Sequence, residues 1–195
     1  MDAALIERLT REMEAQFARP GEPAGFPKFH DISVDRYITD EFYELERKHL
    51  WTKVWVMAGR AEDIPNPGDY FTFGDLKVPI VVVRSNDMKV RAIYNTCQHR
   101  GAPVVRDKVG CANQLRCQYH GWVYSIDNGN LVSVPDERDF IDFCREDKSL
   151  SAISCDVWQG WVFVNQDPNA ASLQEWFGVP FAQMEELAGE ELRAV

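Results

Sequence analysis

Apolar residues in the first segment recur at helical spacing, with Ile6, Leu9, Met13 and Phe17 on one side and Glu7 and Arg11 one turn apart on the other. The pattern predicts an amphipathic helix over residues 3–18, ended by Pro20. Three prolines and two glycines in residues 20–28 make a connector that neither helix nor sheet can continue through. A second helix is predicted at about 40–51, where Thr39 can cap, Asp40 and Glu41 suit the first turn, and Phe42, Leu45 and Leu50 give an apolar side. From Lys53 the period shortens to β-branched and aromatic runs: 54–58, 70–73, 80–83 and 90–94, a meander of antiparallel strands. After a loop-rich centre come strands 122–126 and 131–134, joined by the turn sequence Asp127-Asn128-Gly129-Asn130. Two more, 153–158 and 161–165, flank Gln159 and Gly160, and residues 172–192 read as a helical tail.

Charge narrows the choice of partner. Among 195 residues the net charge is −10, which repels nucleic-acid phosphates and anionic membrane surfaces, so neither is expected to bind. The longest uncharged aliphatic stretch, Val78 to Val83, is far short of the roughly 20 residues a membrane helix needs. The first residues include Asp2, Glu7, Glu12 and Glu14 with no apolar core, so no secretory signal is read and the protein is expected in the cytoplasm. The five cysteines, Cys97, Cys111, Cys117, Cys144 and Cys155, are then more plausibly reduced thiols or metal ligands than disulfides.

Two short segments carry the chemistry. Cys97-Gln98-His99 and Cys117-Gln118-Tyr119-His120 supply two thiolates and two imidazoles from two loops, with seventeen residues between His99 and Cys117. That donor set suits an iron–sulfur centre or a zinc site. In a Rieske centre each loop contributes one cysteine to one iron and one histidine to the other, and this spacing meets that requirement. Gly101 and Gly121 follow the ligand pairs, where a missing Cβ would let backbone amides approach sulfide. Cys111 lies near Cys117 but has no histidine at the matching offset and reads as a loop thiol; Cys144 and Cys155 read as spare thiols. His30, beside the connector, and His49, among charged residues, are not read as ligands.

Cys97-Gln98-His99-Arg100-Gly101-Ala102 and Cys117-Gln118-Tyr119-His120-Gly121-Trp122 closely resemble the paired motifs of Rieske non-haem iron ring-hydroxylating oxygenase α subunits. Trp51 to Trp55, Pro67-Gly68-Asp69-Tyr70, Arg91 to Asn95 and Trp161 to Asn165 also resemble that family's N-terminal domain, over roughly residues 38–168. The resemblance implies a mainly β chain: a Rieske-type antiparallel β-sandwich with an inserted cluster-binding subdomain and helical N- and C-terminal extensions. It implies an extension over 1–37, a Rieske domain over 38–170, and a tail over 171–195 leading toward a catalytic domain absent here.

The same resemblance implies one [2Fe–2S] cluster held by Cys97, His99, Cys117 and His120, with Arg100, Gly101, Gly121, Trp122 and Tyr124 around it. High-potential respiratory Rieske proteins have a disulfide where Ala102 and Tyr119 stand, and a serine in place of Trp122. A potential toward the low end of the range of about −150 to +300 mV is therefore implied. Electrons would come from a ferredoxin or flavin reductase and pass to a mononuclear Fe(II) held by two histidines and a carboxylate in the missing domain, in the same or a neighbouring subunit of a trimer. No histidine follows His120, so this chain is expected to be inactive as an oxygenase alone, whether it is a truncated product or a shortened natural one. A free-standing Rieske electron carrier is the alternative, and a zinc-stapled binding module a third; zinc proteins are colourless.

Overall fold

A computed structural model describes residues 3–185 apart from Ala24 and Leu76. Contacts divide the chain into two units, Met1–Ile38 and Thr39–Val195. In the first, α1 (Ala3–Ala18) buries none of its residues and carries the i,i+4 pairs Glu7–Arg11 at 3.9 Å and Arg8–Glu12 at 3.7 Å. A single turn, α2 (Asp35–Ile38), follows, with the Ser33 hydroxyl accepting from the Asp35 amide at 3.2 Å.

The second unit begins with α3 (Asp40–Glu46), capped by Thr39, whose hydroxyl accepts from the Phe42 amide at 3.4 Å. The helix widens into a π turn over Arg47–Trp51, so the predicted span is filled by two kinds of winding. Ten strands follow among the described residues: β1 (Val56–Arg60), β2 (Asp69–Phe73), β3 (Ile80–Arg84), β4 (Val90–Tyr94), β5 (Val109–Cys111), β6 (Gln114–Arg116), β7 (Val123–Ser125), β8 (Leu131–Ser133), β9 (Ala152–Trp158) and β10 (Trp161–Asn165). Seven form one antiparallel sheet in the order β1-β10-β9-β4-β3-β2-β5, and β6-β7-β8 form a second.

β3 explains the layering. Ile80, Val81, Val82 and Val83 are all fully buried, because the strand is covered on both faces. Ile80 and Val82 join Phe71, Phe73 and Ala92 and also Val162 and Val164 of β10, so the sheet curls until its two wings meet. Val81 and Val83 point the other way and pack with Tyr70, Ile93, Leu115, Trp122, Tyr124 and the thiols of Cys97 and Cys117. The three-stranded sheet is thus an inserted subdomain on the outer face of the main one, as the implied architecture requires.

The remaining differences from expectation are local. β1 lies two residues later than predicted, and β5 and β6 arise within the loop-rich centre. The tail is two short helices, α4 (Leu173–Phe177) and α5 (Val179–Glu185), broken at Gly178. Ser172 caps α4 in a reciprocal capping box with Glu175. Residues 186–192 of the predicted tail helix lie outside the described residues.

Candidate metal centre

The two ligand loops have the same backbone. In the first, the Cys97 amide donates to the Ala102 carbonyl at 2.8 Å and the Gly101 amide to the Cys97 carbonyl at 2.9 Å; in the second, Cys117 donates to Trp122 at 2.8 Å and Gly121 to Cys117 at 2.9 Å. Both turns close through a left-handed residue, Gly101 at φ +72° and Gly121 at φ +74°, a region that costs any residue with a Cβ. A Cβ on Gly101 would meet no atom within 4 Å, so backbone conformation rather than crowding calls for glycine there.

The loops are anchored from below. Buried Asn95, at the end of β4, accepts from the amides of Val104 and Val105 at 2.9 and 3.0 Å and donates to the Val105 carbonyl at 2.8 Å. That knot fixes the segment after the first ligand pair, a role for Asn95 that sequence reasoning did not assign. In the second loop, β6 delivers Cys117 and β7 begins just beyond Gly121, so strand pairing sets its position.

The four candidate ligands come together, thiols inside and imidazoles outside. Cys97 and Cys117 are 2% and 1% exposed, whereas His99 is half-buried and His120 exposed, their rings 4.5 Å apart. The Nδ1 of His99 is buried with no hydrogen-bond partner among the described residues. An orphaned ring nitrogen beside two buried thiols fits a metal-bonding site, since a metal bond would satisfy it. Among the described residues no three His, Cys, Asp or Glu side chains converge on a single point.

Electrostatics follow from burial. Burial pushes the Cys97 thiol up, an effect partly opposed by the hydroxyl of Tyr124, 3.2 Å from its Sγ. Burial, then the charges of His120 and Arg100, push the His99 imidazole down, toward the neutral form that can ligate. Tyr124 is fully buried, and the same oxygen accepts from the Gln98 amide at 3.1 Å. Its phenol is raised well above the usual range, first by burial and then by Cys97.

Trp122 stacks on the His99 ring at 4.9 Å and 7° between planes, and Phe140 and Phe143 meet Trp122 edge-on at 6.1 and 5.6 Å. These phenylalanines belong to the loop between β8 and β9, which sequence reasoning left without a role. Arg100 is exposed beside His99. Cys111 is exposed beside Asp69, Cys144 is exposed and donates to Glu146 at 3.0 Å, and Cys155 lies in the inner core of the main sheet. None of the three thiols shares the core cluster that holds Cys97 and Cys117.

The chain matches the Rieske [2Fe-2S] domain over residues 54–154. It is 32% identical to the 2-aminobenzenesulfonate 2,3-dioxygenase subunit alpha of Alcaligenes sp, over 91% of this chain and 45% of the relative. It is 31% identical to the carnitine monooxygenase oxygenase subunit of Escherichia coli (strain K12), over 72% of this chain and 37% of that protein. In structure it is similar to naphthalene 1,2-dioxygenase from Rhodococcus sp. bound to indole, with a TM-score of 0.74 and 28% identity over 79% of this chain and 36% of that one. The chain spans less than half the length of these relatives. Among the described residues no helix is long and apolar enough to cross a membrane. With the paired turns, the two thiols and two imidazoles they bring together and these similarities, the chain belongs to the Rieske [2Fe–2S] domain family, and the relatives it matches are oxygenases or subunits of them.

Proposed function

We propose that this chain is the electron-transfer portion of a Rieske-type oxygenase, with one [2Fe–2S] cluster held by Cys97 and Cys117 on one iron and His99 and His120 on the other. The observation that carries the reading is the pair of matching turns, which bring two buried thiols and two outward imidazoles together and leave His99 Nδ1 buried and unpartnered. When bound, the cluster supplies one-electron transfer. The protein's part is to hold and surround it. Tyr124 places a hydroxyl at the Cys97 sulfur, Trp122 shields one face of His99, and the exposed His120 leaves one edge of the site open to a partner.

The working division is an N-terminal extension over 1–37, the Rieske domain over 38–170 and a tail over 171–195. Electrons come from a ferredoxin or flavin reductase in the cytoplasm. They leave toward a mononuclear iron in a catalytic domain outside this chain, in the same or a neighbouring subunit of a trimer, and this chain alone does not oxygenate substrate. The relatives' full length, more than twice that matched here, supports a further domain.

Metal and sulfide analysis tests the reading: two irons and two acid-labile sulfides per chain, with visible absorbance, are expected. Cys97→Ser and Cys117→Ser each abolish the absorbance, and Cys111→Ser keeps it. A coloured Cys117→Ser protein with a colourless Cys111→Ser protein overturns the ligand assignment.

A further inference from the structure

The two wings of the curled sheet meet unevenly. β1 pairs with β10, and β2 with β3 and β5; among the described residues no strand pairing joins β1 to β2, and their seam is closed by side chains. At Gly59 the seam is tight, since a Cβ there would meet the Phe71 ring at 2.8 Å. Toward the start of β1 it opens into a cleft of about 410 Å³, lined by Val56, Met57 and Phe73 from the sheet and by Tyr43 of α3 and Trp51, the last residue of the π turn. Small-molecule sites are clefts of about 300 Å³ or more, and the mouth of a rolled sheet is one of their usual places. No residue of either ligand loop lines this cleft.

The charges around the cleft are not balanced within the protein. Arg47 is held by Glu44 at 2.7 and 2.8 Å, and the Lys77 ammonium stands 4.4 Å from the centroid of the Tyr43 ring. Both cations act on Glu44, whose carboxyl is held below its usual range first by Arg47 and more weakly by Lys77. Glu46, half-buried, and Asp75, exposed, also line the cleft, and their carboxylates make no ion pair or hydrogen bond among the described residues. An aromatic face attracts a cation within about 6 Å of its centroid, and Lys77 shows Tyr43 doing so. It does so from a backbone at φ +56°, a region unfavourable to a residue with a Cβ. Aromatic faces, an apolar lining and two unpaired carboxylates in one cleft suit a ligand with an apolar body and a positive head.

We propose that this cleft binds a small arylalkyl ammonium, its apolar body against Val56, Met57 and Phe73 and its charged head among Tyr43, Trp51, Glu46 and Asp75. The site goes beyond the electron-transfer reading and does not depend on it, because none of these residues is a candidate cluster ligand. A neutral molecule of the same shape gains the apolar contacts and leaves both carboxylates unpaired, and an anion is repelled by them, so charge sets the specificity. Lys77 is the internal rival for the Tyr43 ring, and its charge opposes that of the ligand.

The test uses the full chain labelled with 5-fluorotryptophan, the Trp51 line in its fluorine spectrum being identified by its loss in W51F. The probes are 2-phenylethylamine, 2-phenylethanol and 3-phenylpropanoate, alike in shape and positive, neutral and negative at pH 7. The amine is expected to move the Trp51 line saturably while the line of exposed Trp176 stays, and the alcohol to bind roughly tenfold more weakly. E46Q/D75N is expected to weaken the amine roughly fivefold, with E22Q/D31N, which removes as much charge from the first unit, unchanged. K77G removes the rival ammonium at a backbone position that suits glycine; it is expected to tighten the amine roughly twofold, and it carries the test if E46Q/D75N fails to fold. An unmoved Trp51 line at millimolar amine, equal binding of amine and alcohol, tighter binding of the propanoate, an equal loss in E22Q/D31N, or no tightening in K77G each overturns the proposal.

Discussion

A buried phenol is tolerated only when its oxygen is satisfied, and Tyr124 meets that condition with the Cys97 sulfur at 3.2 Å and the Gln98 amide at 3.1 Å. Tyr124→Phe removes a hydroxyl at the sulfur and leaves the Gln98 amide without its acceptor. A donor to sulfur favours the more negative, reduced state, so the potential is expected to fall by a few tens of millivolts; for one electron, about 60 mV corresponds to 1.4 kcal/mol. Stability is expected to fall by about 1–3 kcal/mol from the orphaned amide. Redox titration and thermal melts check both, and an unchanged potential with a lowered melting temperature would show that the hydroxyl is structural only. That Cys97, His99, Cys117 and His120 would come together was legible because metal-ligand chemistry restricts residue type and spacing together; that they are ligands is the proposal made above. Tyr124 and Trp122 were legible only as neighbours of the motif, without their contacts. Phe140 and Phe143 were not legible, because an aromatic on a long loop bears no periodic mark of what it will cover.

At the scale of elements, the inserted subdomain is tied to the main sheet through turns. The Asp127 carboxylate in the β7–β8 turn accepts from the backbone and side-chain amides of Asn86 in the β3–β4 turn, at 2.8, 2.9 and 3.1 Å. That second turn is braced by Asp87, which accepts from Ser85 at 2.6 Å and from Arg91 at 2.7 and 2.8 Å. The Arg91 pairing, with help from Ser85 and the Lys89 amide, holds the Asp87 carboxyl well below the usual carboxylate range. A folded-state depression stabilises the protein above the unfolded carboxylate's pKa of about 3.9, and that contribution is lost as pH falls through the lower folded value. Asp87→Asn is therefore expected to lower the melting temperature at pH 7 and to flatten its decline below about pH 4. Identical acid limbs in wild type and variant would show that Asp87 contributes nothing. The hairpin over Asp127–Asn130 was readable from its turn residues, but not the Asn86 link, which joins residues 41 positions apart. β5 and β6 escaped notice because, unlike the equally short β7 and β8, they do not sit in apolar runs flanking a marked turn, and Gly110 stands in β5 where a Cβ would meet the Tyr70 hydroxyl at 2.5 Å. β1 shifted because Trp55 belongs to the aromatic group under the tail, donating to the Ala171 carbonyl at 3.0 Å.

For the whole second unit, two cores lie on opposite faces of β3. One core, on the outer face of β3, contains Cys97 and Cys117; the other, inside the curled sheet, contains β10 and Cys155. The two candidate ligand thiols are thus part of the packing that holds the subdomain down. Activating dioxygen at an iron requires open coordination positions and, in this chemistry, two histidines with a carboxylate. Besides His99 and His120 the chain has His30 in the first unit and His49 in the second, and among the described residues no three His, Cys, Asp or Glu groups converge. On the division of labour proposed above, the chain supplied with a reductase, a ferredoxin, reduced nicotinamide, dioxygen and ferrous iron is expected to be reduced and reoxidised without hydroxylating any of a panel of aromatic, amine and steroid compounds. Reoxidation should release peroxide in proportion to the nicotinamide consumed. Coupled product formation, abolished by His30→Ala or His49→Ala, would reveal a second iron site built from residues given no role here and would overturn the division of labour between this chain and a separate catalytic domain.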